Sequence, residues 1–438
     1  MIAAAAGFLL ALATPPPPAP SPTPVPTAAP PPGAARLTLA DAEAIARQNN
    51  PAITVARLNA LASQQVSRET RAAYYPTLDA YLTGVAAHEG GRISAGSITN
   101  PAIYSRAAGG VAVNQLITDF GRTSNLVASS TLHAEADDAR SMATAADILL
   151  AVDRSFYGAL GTQALLRVAE QTVAARRSVA EQVGALAQSK LRSELDASFA
   201  EVDLAEANLL LVDAQNNQKA ALAGLSAILG YPNQRDFDLV DDERPLQAPP
   251  PDVELLIAEG LSRRPEVAAL QLDTQSLERF HLAEQDLMLP SVRALGTAGG
   301  APWRNDAITP WYGAIGVNVA IPIFNGFLFQ SQAAEAGLRA EAEKQRLIDL
   351  RNAIARDIRT AWLDANAAYE RVGVAQQLLT QANRALDLAR SRYDLGLSSI
   401  VELSQAQLQQ TRAELGEADA RYRFKTASAA LQYELGGP

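Results

Sequence analysis

Hydrophobic and polar residues alternate with a period of two in four stretches of the chain. The clearest stretch is 311–321, where Trp311, Ile315 and Val319 lie on one face and small or polar residues lie on the other. The other three stretches are about 77–87, 107–117 and 291–299. This period predicts β-strands, and their length of roughly 9–11 residues is what a tilted strand needs to cross a bilayer. A soluble sheet with one wet face alternates in the same way, so the pattern alone leaves both interpretations open.

Two long stretches without proline, 102–231 and 323–437, predict helices. The first helix would run from about Arg122 to Ala187, and at ~1.5 Å per residue it would be about 99 Å long. A helix of this length must extend beyond any compact domain. Near the end of each stretch one position in seven forms a largely apolar row, which predicts a coiled-coil seam. The rows are Val401, Leu408, Leu415, Tyr422 and Ala429 in the second stretch, and Leu195, Val202, Leu209, Asn216 and Ala223 in the first, 206 residues earlier.

The two halves of the chain repeat one another. Four pairs of motifs are related by offsets of 214, 214, 205 and 206 residues: Asn50-Pro51 and Arg264-Pro265, Tyr75-Pro76 and Leu289-Pro290, DFG at 119–121 and FNG at 324–326, LG at 229–230 and LG at 435–436. We therefore expect two tandem repeats, 37–235 and 252–438, with a linker at 236–251. Each repeat should start with a helix of about ten residues, followed after its proline by a second helix.

The N-terminus has the features of an export signal. Residues 2–13 are an uninterrupted apolar run, too short to span a bilayer as a helix, and Ala11-Leu12-Ala13 provides a cleavage signal. Eleven prolines follow within residues 15–32. We expect a signal peptide at 1–13, a proline-rich disordered segment at 14–36, and folded structure from about Leu37.

Composition and charge exclude several kinds of function. The chain has 438 residues and a formal net charge of −10, which argues against a nucleic-acid partner. It has no cysteine, so disulfides, thiolate metal sites and a lipid-modified N-terminal cysteine are excluded. The three histidines lack metal-ligand spacing, and phosphate-binding loops and nucleophile elbows are missing from the sequence. We therefore expect neither a cofactor nor an enzyme. Two acid runs, at 137–138 and 241–243, are interpreted as solvated rather than calcium-binding.

Four strands cannot close a barrel by themselves. Unpaired backbone groups in lipid cost several kcal/mol each, and bacterial barrels have at least about eight strands. Copies of the chain must therefore share one barrel. Two chains would give eight strands and a filled interior, whereas three would give twelve and an aqueous lumen. Long helices extending this barrel as a hollow cylinder indicate a conduit.

Several segments in this order resemble the TolC-like outer-membrane efflux proteins over about residues 37–438. They are LTLADAEAIA at 37–46, NNP at 49–51, YPTL at 75–78, DFGR at 119–122 and YDLGLSSIVE at 393–402. The resemblance implies a mostly α fold with two repeats, whose long coiled-coil helices form a periplasmic tunnel. Four strands per chain would complete a 12-stranded outer-membrane barrel as a homotrimer in lipid. A periplasmic adaptor protein and an inner-membrane pump, driven by protons or ATP, would be its partners.

The same resemblance assigns roles at a helical hairpin tip. Tyr393, Gly396 and Leu397 match the family's turn, and Leu395 and Leu397 would be exposed for adaptor contact. Tyr393 matches a tyrosine that hydrogen-bonds between hairpins to hold the periplasmic mouth shut. Ser398, also at this tip, stands where the best-known member has an arginine in that closing network. The first tip, 188–194, lacks both the glycine and the tyrosine, so we expect the periplasmic mouth to be held shut differently from that of the best-known member.

Two carboxylates complete the expected gate. Glu402 stands where the family has an acidic residue facing the pore, and Asp196 is its equivalent 206 residues earlier. In a trimer each would form a ring of three carboxylates that favours cations. Gln405 replaces a second pore acid of the family. Both acids also fit the first turn of a solvated helix, where acidic residues are favoured anyway.

The leading hypothesis is therefore a trimeric channel-tunnel, the passive exit duct of a tripartite efflux or type I secretion system. The alternative is a periplasmic coiled coil that tethers the envelope without conducting. The long helices and the proline-rich segment fit both hypotheses, whereas the matched strand pairs fit only the duct. An enzyme with an unrecognised site is the third and least favoured interpretation.

Overall fold

The computed structural model describes residues 35–87, 92–95, 98–102, 104–242 and 245–437. The predicted signal peptide and the proline-rich segment up to residue 34 lie outside these ranges. The first described element is a strand, β1 (Ala35–Leu37), which starts two residues before the predicted start of the fold. Within the described ranges, none of the helices is both long and apolar enough to cross a membrane.

The α-helices of the described ranges form two sets of four in the same order. The first set is α1 (Leu39–Asn49), α2 (Pro51–Arg71), α3 (Arg122–Gln188) and α4 (Glu194–Ile228). The second is α5 (Val253–Arg263), α6 (Pro265–Gln285), α7 (Leu328–Asp394) and α8 (Ile400–Glu434). Each long helix, α3 and α7, has 67 residues and is about 100 Å long. The mostly helical fold with two repeats is thereby confirmed.

Local sequence explains where the short helices begin. The Thr38 hydroxyl accepts a hydrogen bond from the Asp41 N–H, and the Asp41 carboxylate accepts one from the Thr38 N–H. Asn50 caps α2, and Pro51 occupies the first turn of this helix. The side-chain amide of Asn50 also donates a hydrogen bond of 2.8 Å to the Ile228 carbonyl. In the second repeat the residue before the proline is Arg264, which contacts Glu434 at the end of α8 instead. An amide and a guanidinium thus fasten equivalent helix ends.

The four predicted strands form one antiparallel sheet in the order β2-β5-β7-β8. Their bounds are β2 (Thr77–Val85), β5 (Arg106–Thr118), β7 (Ser291–Arg304) and β8 (Trp311–Ala320). Each repeat contributes two strands, and β5 pairs with β7 across the repeat boundary. The strands β2 and β8 are left at the edges.

The sheet has one apolar and one more polar face. Because directly paired residues share a face, the register places Leu78 with Val113 on one side. Because alternate residues of a strand also share a face, the register places Leu82 and Ile315 on the same apolar face, where they are 94% and 95% exposed. The opposite face carries Thr77 and other small or polar residues: Asp79, Asn114, Thr297 and Asn318. Such exposed apolar positions fit a sheet surrounded by lipid.

Two features of the strand region were not predicted. The extra residues of the first repeat include a separate hairpin, β3 (Arg92–Ala95) with β4 (Ile98–Ala102), whereas the second repeat has only a short loop here. The turns into α3 and α7 each contain two consecutive left-handed residues, Phe120-Gly121 and Gly326-Phe327. The structural offset is therefore 206 at this turn, and the predicted pairing of the two glycines at 205 is wrong.

Near the hairpin tips the predicted coiled-coil seam is not buried within the single chain. Leu195, Val202 and Leu209 are 64%, 54% and 67% exposed, and Val401 and Leu408 are also exposed. The buried row of α4 consists instead of alanines, again seven residues apart: Ala200, Ala207 and Ala214. Small side chains let helix axes approach closely, which explains why the alanine row faces the neighbouring helices. The larger side chains remain on the outside of the single chain.

The apolar cores lie midway along the long helices, where the short helices pack against them. In the first repeat, Phe156 of α3 packs with Leu225 and Leu229, all at most 1% exposed. In the second, Ile257 of α5 packs with Ile358 of α7. Burying a side chain of this size contributes roughly 1.5–3 kcal/mol, so these clusters hold the short helices on the outside of the rods.

The linker is more ordered than its proline content suggested. It begins with β6 (Phe237–Leu239), which pairs in parallel with β1. Asp241 contacts the ammonium of Lys425, a lysine that is only 7% exposed. Burial alone would raise the pKa of Asp241, but the hydrogen bond and charge of Lys425 outweigh this and lower it. The interpretation of this acid run as simply solvated is therefore wrong.

Candidate functional site

The two hairpin tips, 189–193 between α3 and α4 and 395–399 between α7 and α8, have the same backbone turn. The Leu191 N–H donates to the Leu186 carbonyl at 2.9 Å, and the Leu397 N–H donates to the Arg392 carbonyl at 2.8 Å. Each turn needs one left-handed residue, which is Gly396 (φ 73°) in the second tip and Lys190 (φ 58°) in the first. A lysine in this conformation costs about 1–2 kcal/mol, and the first tip forms the turn of the second tip at this cost, without its glycine.

Both predicted gate carboxylates lie in the first helical turn after a tip. The Asp196 N–H donates to the Ser193 hydroxyl at 3.1 Å, and the Glu402 N–H donates to the Ser399 hydroxyl at 3.4 Å. Serine capping thus fixes both acids at the third helical position, where the helix dipole favours negative charge. Glu402 also forms an exposed ion pair with Arg392, with Nε and Oε1 3.1 Å apart.

Tyr393 is buried between the two hairpins. It is 5% exposed and belongs to an apolar cluster that joins α3, α4, α7 and α8. The other members of this cluster are Ala180, Val183, Ala200, Ile400 and Leu403. Within the described part of the chain its hydroxyl is buried without a hydrogen-bond partner. Burial raises the pKa of this phenol, and Arg192 acts in the opposite direction.

The first hairpin contacts Tyr393 through Arg192. The Arg192 guanidinium lies over the Tyr393 ring, with its Cζ 4.3 Å from the ring centroid. Its Nη2 also donates a hydrogen bond of 2.8 Å to the Tyr393 carbonyl. One side chain thereby holds both the ring and the backbone of the opposite hairpin. We name this contact, formed by Arg192 and Tyr393, the tip clamp.

Sequence reasoning missed Arg192, although a signal was present. Arg192 stands 206 residues before Ser398, the position where the resemblance called for an arginine. The arginine thus occupies the equivalent place in the other repeat. Ser398 itself is half-buried, and its hydroxyl has no partner among the described residues.

A polar layer connects the hairpins above the tip clamp. The Ser404 hydroxyl of α8 donates to Asp203 of α4 at 2.8 Å. Arg176 of α3 is 7% exposed and lies near both Asp203 and Glu206. Burial lowers the pKa of Arg176, while these two carboxylates partly offset the effect. Arg176 and its two carboxylates belong to the first hairpin, so separating the hairpins would break the Ser404–Asp203 hydrogen bond as well as the apolar contacts.

The tips also present exposed leucines. Leu395 and Leu397 are 74% and 66% exposed, and Leu191 of the first tip is 71% exposed. Three exposed leucines on two adjacent turns form an apolar end to the helical rods. In the part of the chain that the structure describes, no group of three or more acidic or histidine side chains is arranged to hold a metal ion.

Comparison with known proteins gives consistent results. Residues 44–231 and 256–437 match the family model described as "Outer membrane efflux protein". The chain is 23% identical over 241 residues to the outer membrane protein TolC of Escherichia coli (strain K12), covering 51% of this chain and 48% of TolC. It is 28% identical over 229 residues to the pyoverdine export outer membrane protein OpmQ of Pseudomonas aeruginosa, covering 50% of this chain and 46% of OpmQ.

The structural comparison concerns the fold. The solved outer-membrane channel OprN superposes with a TM-score of 0.78 at 18% identity, covering 91% of this chain and 90% of that one. The matched regions span about half the length of the two curated relatives. The two family-model matches correspond to the two sets of four helices described above.

Proposed function

The chain belongs to the outer membrane efflux protein family, and we propose that three copies of it form the passive exit duct of an efflux or type I secretion system. It is a protein of the outer membrane, with its long helices in the periplasm. The family resemblance inferred from the sequence is thereby confirmed. The duct would carry out no chemistry, and energy would come from an inner-membrane pump reached through a periplasmic adaptor.

The open edges of the sheet carry this proposal. The strands β2 and β8 have 9 and 10 residues, and within the described ranges each has a partner on only one side. In hydrocarbon every unpaired backbone group costs several kcal/mol, so these edges must pair with other copies. Pairing β8 of one copy with β2 of the next preserves the antiparallel order. Three copies give twelve strands, enough for a water-filled lumen, whereas two give a filled interior.

The mouth of the duct would be closed at the hairpin tips. The tip clamp, the Ser404–Asp203 bond and the apolar cluster around Tyr393 all oppose separation of the two hairpins. Asp196 and Glu402, one turn above each tip, would form two carboxylate rings that favour cations. The exposed leucines Leu395 and Leu397 would contact the adaptor.

An envelope tether without a pore is the alternative. It would account for the long helices but gives no reason for a four-stranded sheet with a highly exposed apolar face. Exposed apolar patches of this kind mark lipid or protein contacts.

A planar bilayer recording distinguishes the two functions. Purified protein extracted in detergent should insert and give persistent conductance steps. A preparation that stays dispersed without detergent and is electrically silent would instead support the tether.

A further inference from the structure

One tyrosine side chain extends across the more polar face of the sheet. Tyr312 of β8 extends across β7, and its Cζ lies 2.5 Å from where a Cβ on Gly299 would be. A Cβ on Gly110 of β5 would overlap the Tyr312 hydroxyl as well. Backbone carbonyls crowd both positions, so only glycine fits there. The two glycines therefore form a shallow notch that seats the phenol ring against the backbone.

The seated ring belongs to a row that crosses the whole sheet. Tyr81 pairs with Gly110, Gly110 with Gly299, and Gly299 with Tyr312, so all four residues share one face. Since neighbouring strands are about 4.8 Å apart, the Tyr312 hydroxyl over Gly110 is one strand away from Tyr81. Tyr312 and Tyr81 remain 40% and 55% exposed. We name this set, Tyr81, Gly110, Gly299 and Tyr312, the tyrosine row.

A carboxylate lies beside the tyrosine row. Asp79 is two residues before Tyr81 on β2 and points to the same face, about 7 Å along the strand. Three arginines share this face. Arg106 is four residues from Gly110 on β5, and Arg293 is six residues from Gly299 on β7, or roughly 13 and 20 Å. Arg304 of β7 is paired with Arg106, and its Nη1 donates a hydrogen bond of 3.4 Å to the Ala301 carbonyl, two residues from Gly299. The formal charge nearest to the Tyr81 ring is therefore the Asp79 carboxylate.

We propose that the tyrosine row and Asp79 form a lumenal binding station for planar aromatic cations on their way through the barrel. The inference rests on the proposed trimeric duct, which turns this face inward. The exposed tyrosine rings offer aromatic surface for stacking, and a cation gains from both the π-system and the carboxylate. Such a station would raise the local concentration of this cargo class within the lumen.

Ethidium, a planar aromatic cation, is a suitable probe. Its fluorescence anisotropy is titrated with the detergent-solubilised trimer, and single-channel conductance is recorded on the same preparation. We expect Tyr312→Leu to raise the dissociation constant about fivefold and Asp79→Asn about threefold, since stacking and charge are both lost at an exposed site. Tyr312→Phe keeps the ring and should stay within twofold. Trp311→Leu, which removes an aromatic residue from the opposite face, is the matched control.

The outcomes separate this inference from the proposed function. Loss of affinity in Tyr312→Leu but not in Trp311→Leu, with tetrabutylammonium failing to compete, supports the station. Equal affinity in all variants, or equal competition by the non-aromatic cation, overturns it while leaving a conducting duct intact. A preparation that never conducts overturns the proposed duct, and the station with it.

Discussion

Removing the guanidinium of the tip clamp should open the periplasmic mouth. Arg192 holds Tyr393 by a ring contact and by a charged hydrogen bond to its carbonyl, and at a half-buried site the two contribute about 2 kcal/mol together. Three clamps that open together would then contribute ~6 kcal/mol, which corresponds to a shift of about 10⁴ in the closed-to-open ratio. If the three chains open separately, the closed-to-open ratio of each chain shifts by about 30-fold. Arg192→Gln should therefore give larger and longer conductance steps in planar bilayers.

Two variants identify which atoms of the clamp matter. Tyr393→Phe keeps the ring and the carbonyl, so it should conduct like the unaltered protein, because the hydroxyl has no partner among the described residues. Arg177→Gln removes an exposed arginine of α3, outside the tip, and serves as the control. An Arg192→Gln channel that stays closed while Tyr393→Phe opens would refute the clamp and assign closure to the tyrosine hydroxyl.

Three further predictions concern the rings, the pH dependence and the turn at the end of α4. Asp196→Asn combined with Glu402→Gln should abolish cation preference, and unchanged reversal potentials in a salt gradient would reject the rings. Burial and the charge of Glu43 raise the pKa of Asp153 from its usual 3.8 to about 7, so this group destabilises the fold increasingly between pH 4 and pH 7. Asp153→Asn should accordingly raise the melting temperature at pH 8, with the gain vanishing near pH 4, whereas a constant gain would contradict this assignment. Gly230 has φ +84° and leaves no room for a Cβ beside the Asn49 carbonyl, so Gly230→Ala should cost at least about 1 kcal/mol in denaturant unfolding.

The elements with a strong period were predictable from the sequence. The long helix was expected at 122–187 and runs over Arg122–Gln188, because a proline-free stretch with helix-forming residues has no competing structure. The strand expected at 311–321 runs over Trp311–Ala320, where alternation is strictest. Proline marks the starts of α2 and α6, since it fits the first helical turn.

The packing of these elements was less predictable. The seam of α4 is a row of alanines, and alanine is so frequent along these helices that its seven-residue spacing is hidden in the sequence. The larger apolar residues formed the more visible row but lie outside the single chain, where a neighbouring copy could cover them. Hydrophobicity alone does not tell a contact within a hairpin from one between chains.

The tip clamp shows a second limit of sequence reasoning. Arg192 and Tyr393 are 201 residues apart, and only the packing of one repeat on the other brings them together. The resemblance placed an arginine at the second tip, where this chain has Ser398. Because the turns of the two tips are alike, either tip can supply the guanidinium. Comparing equivalent positions 206 residues apart would have revealed Arg192 as a candidate.

The number of chains in the complex tests the account most directly. Four strands with two open edges cannot be stable in lipid alone, and twelve strands provide an aqueous lumen. Native mass spectrometry of the protein released from detergent micelles should give the mass of three chains. A chain that is monomeric and stays dispersed in detergent-free buffer would contradict the shared barrel and, with it, the duct.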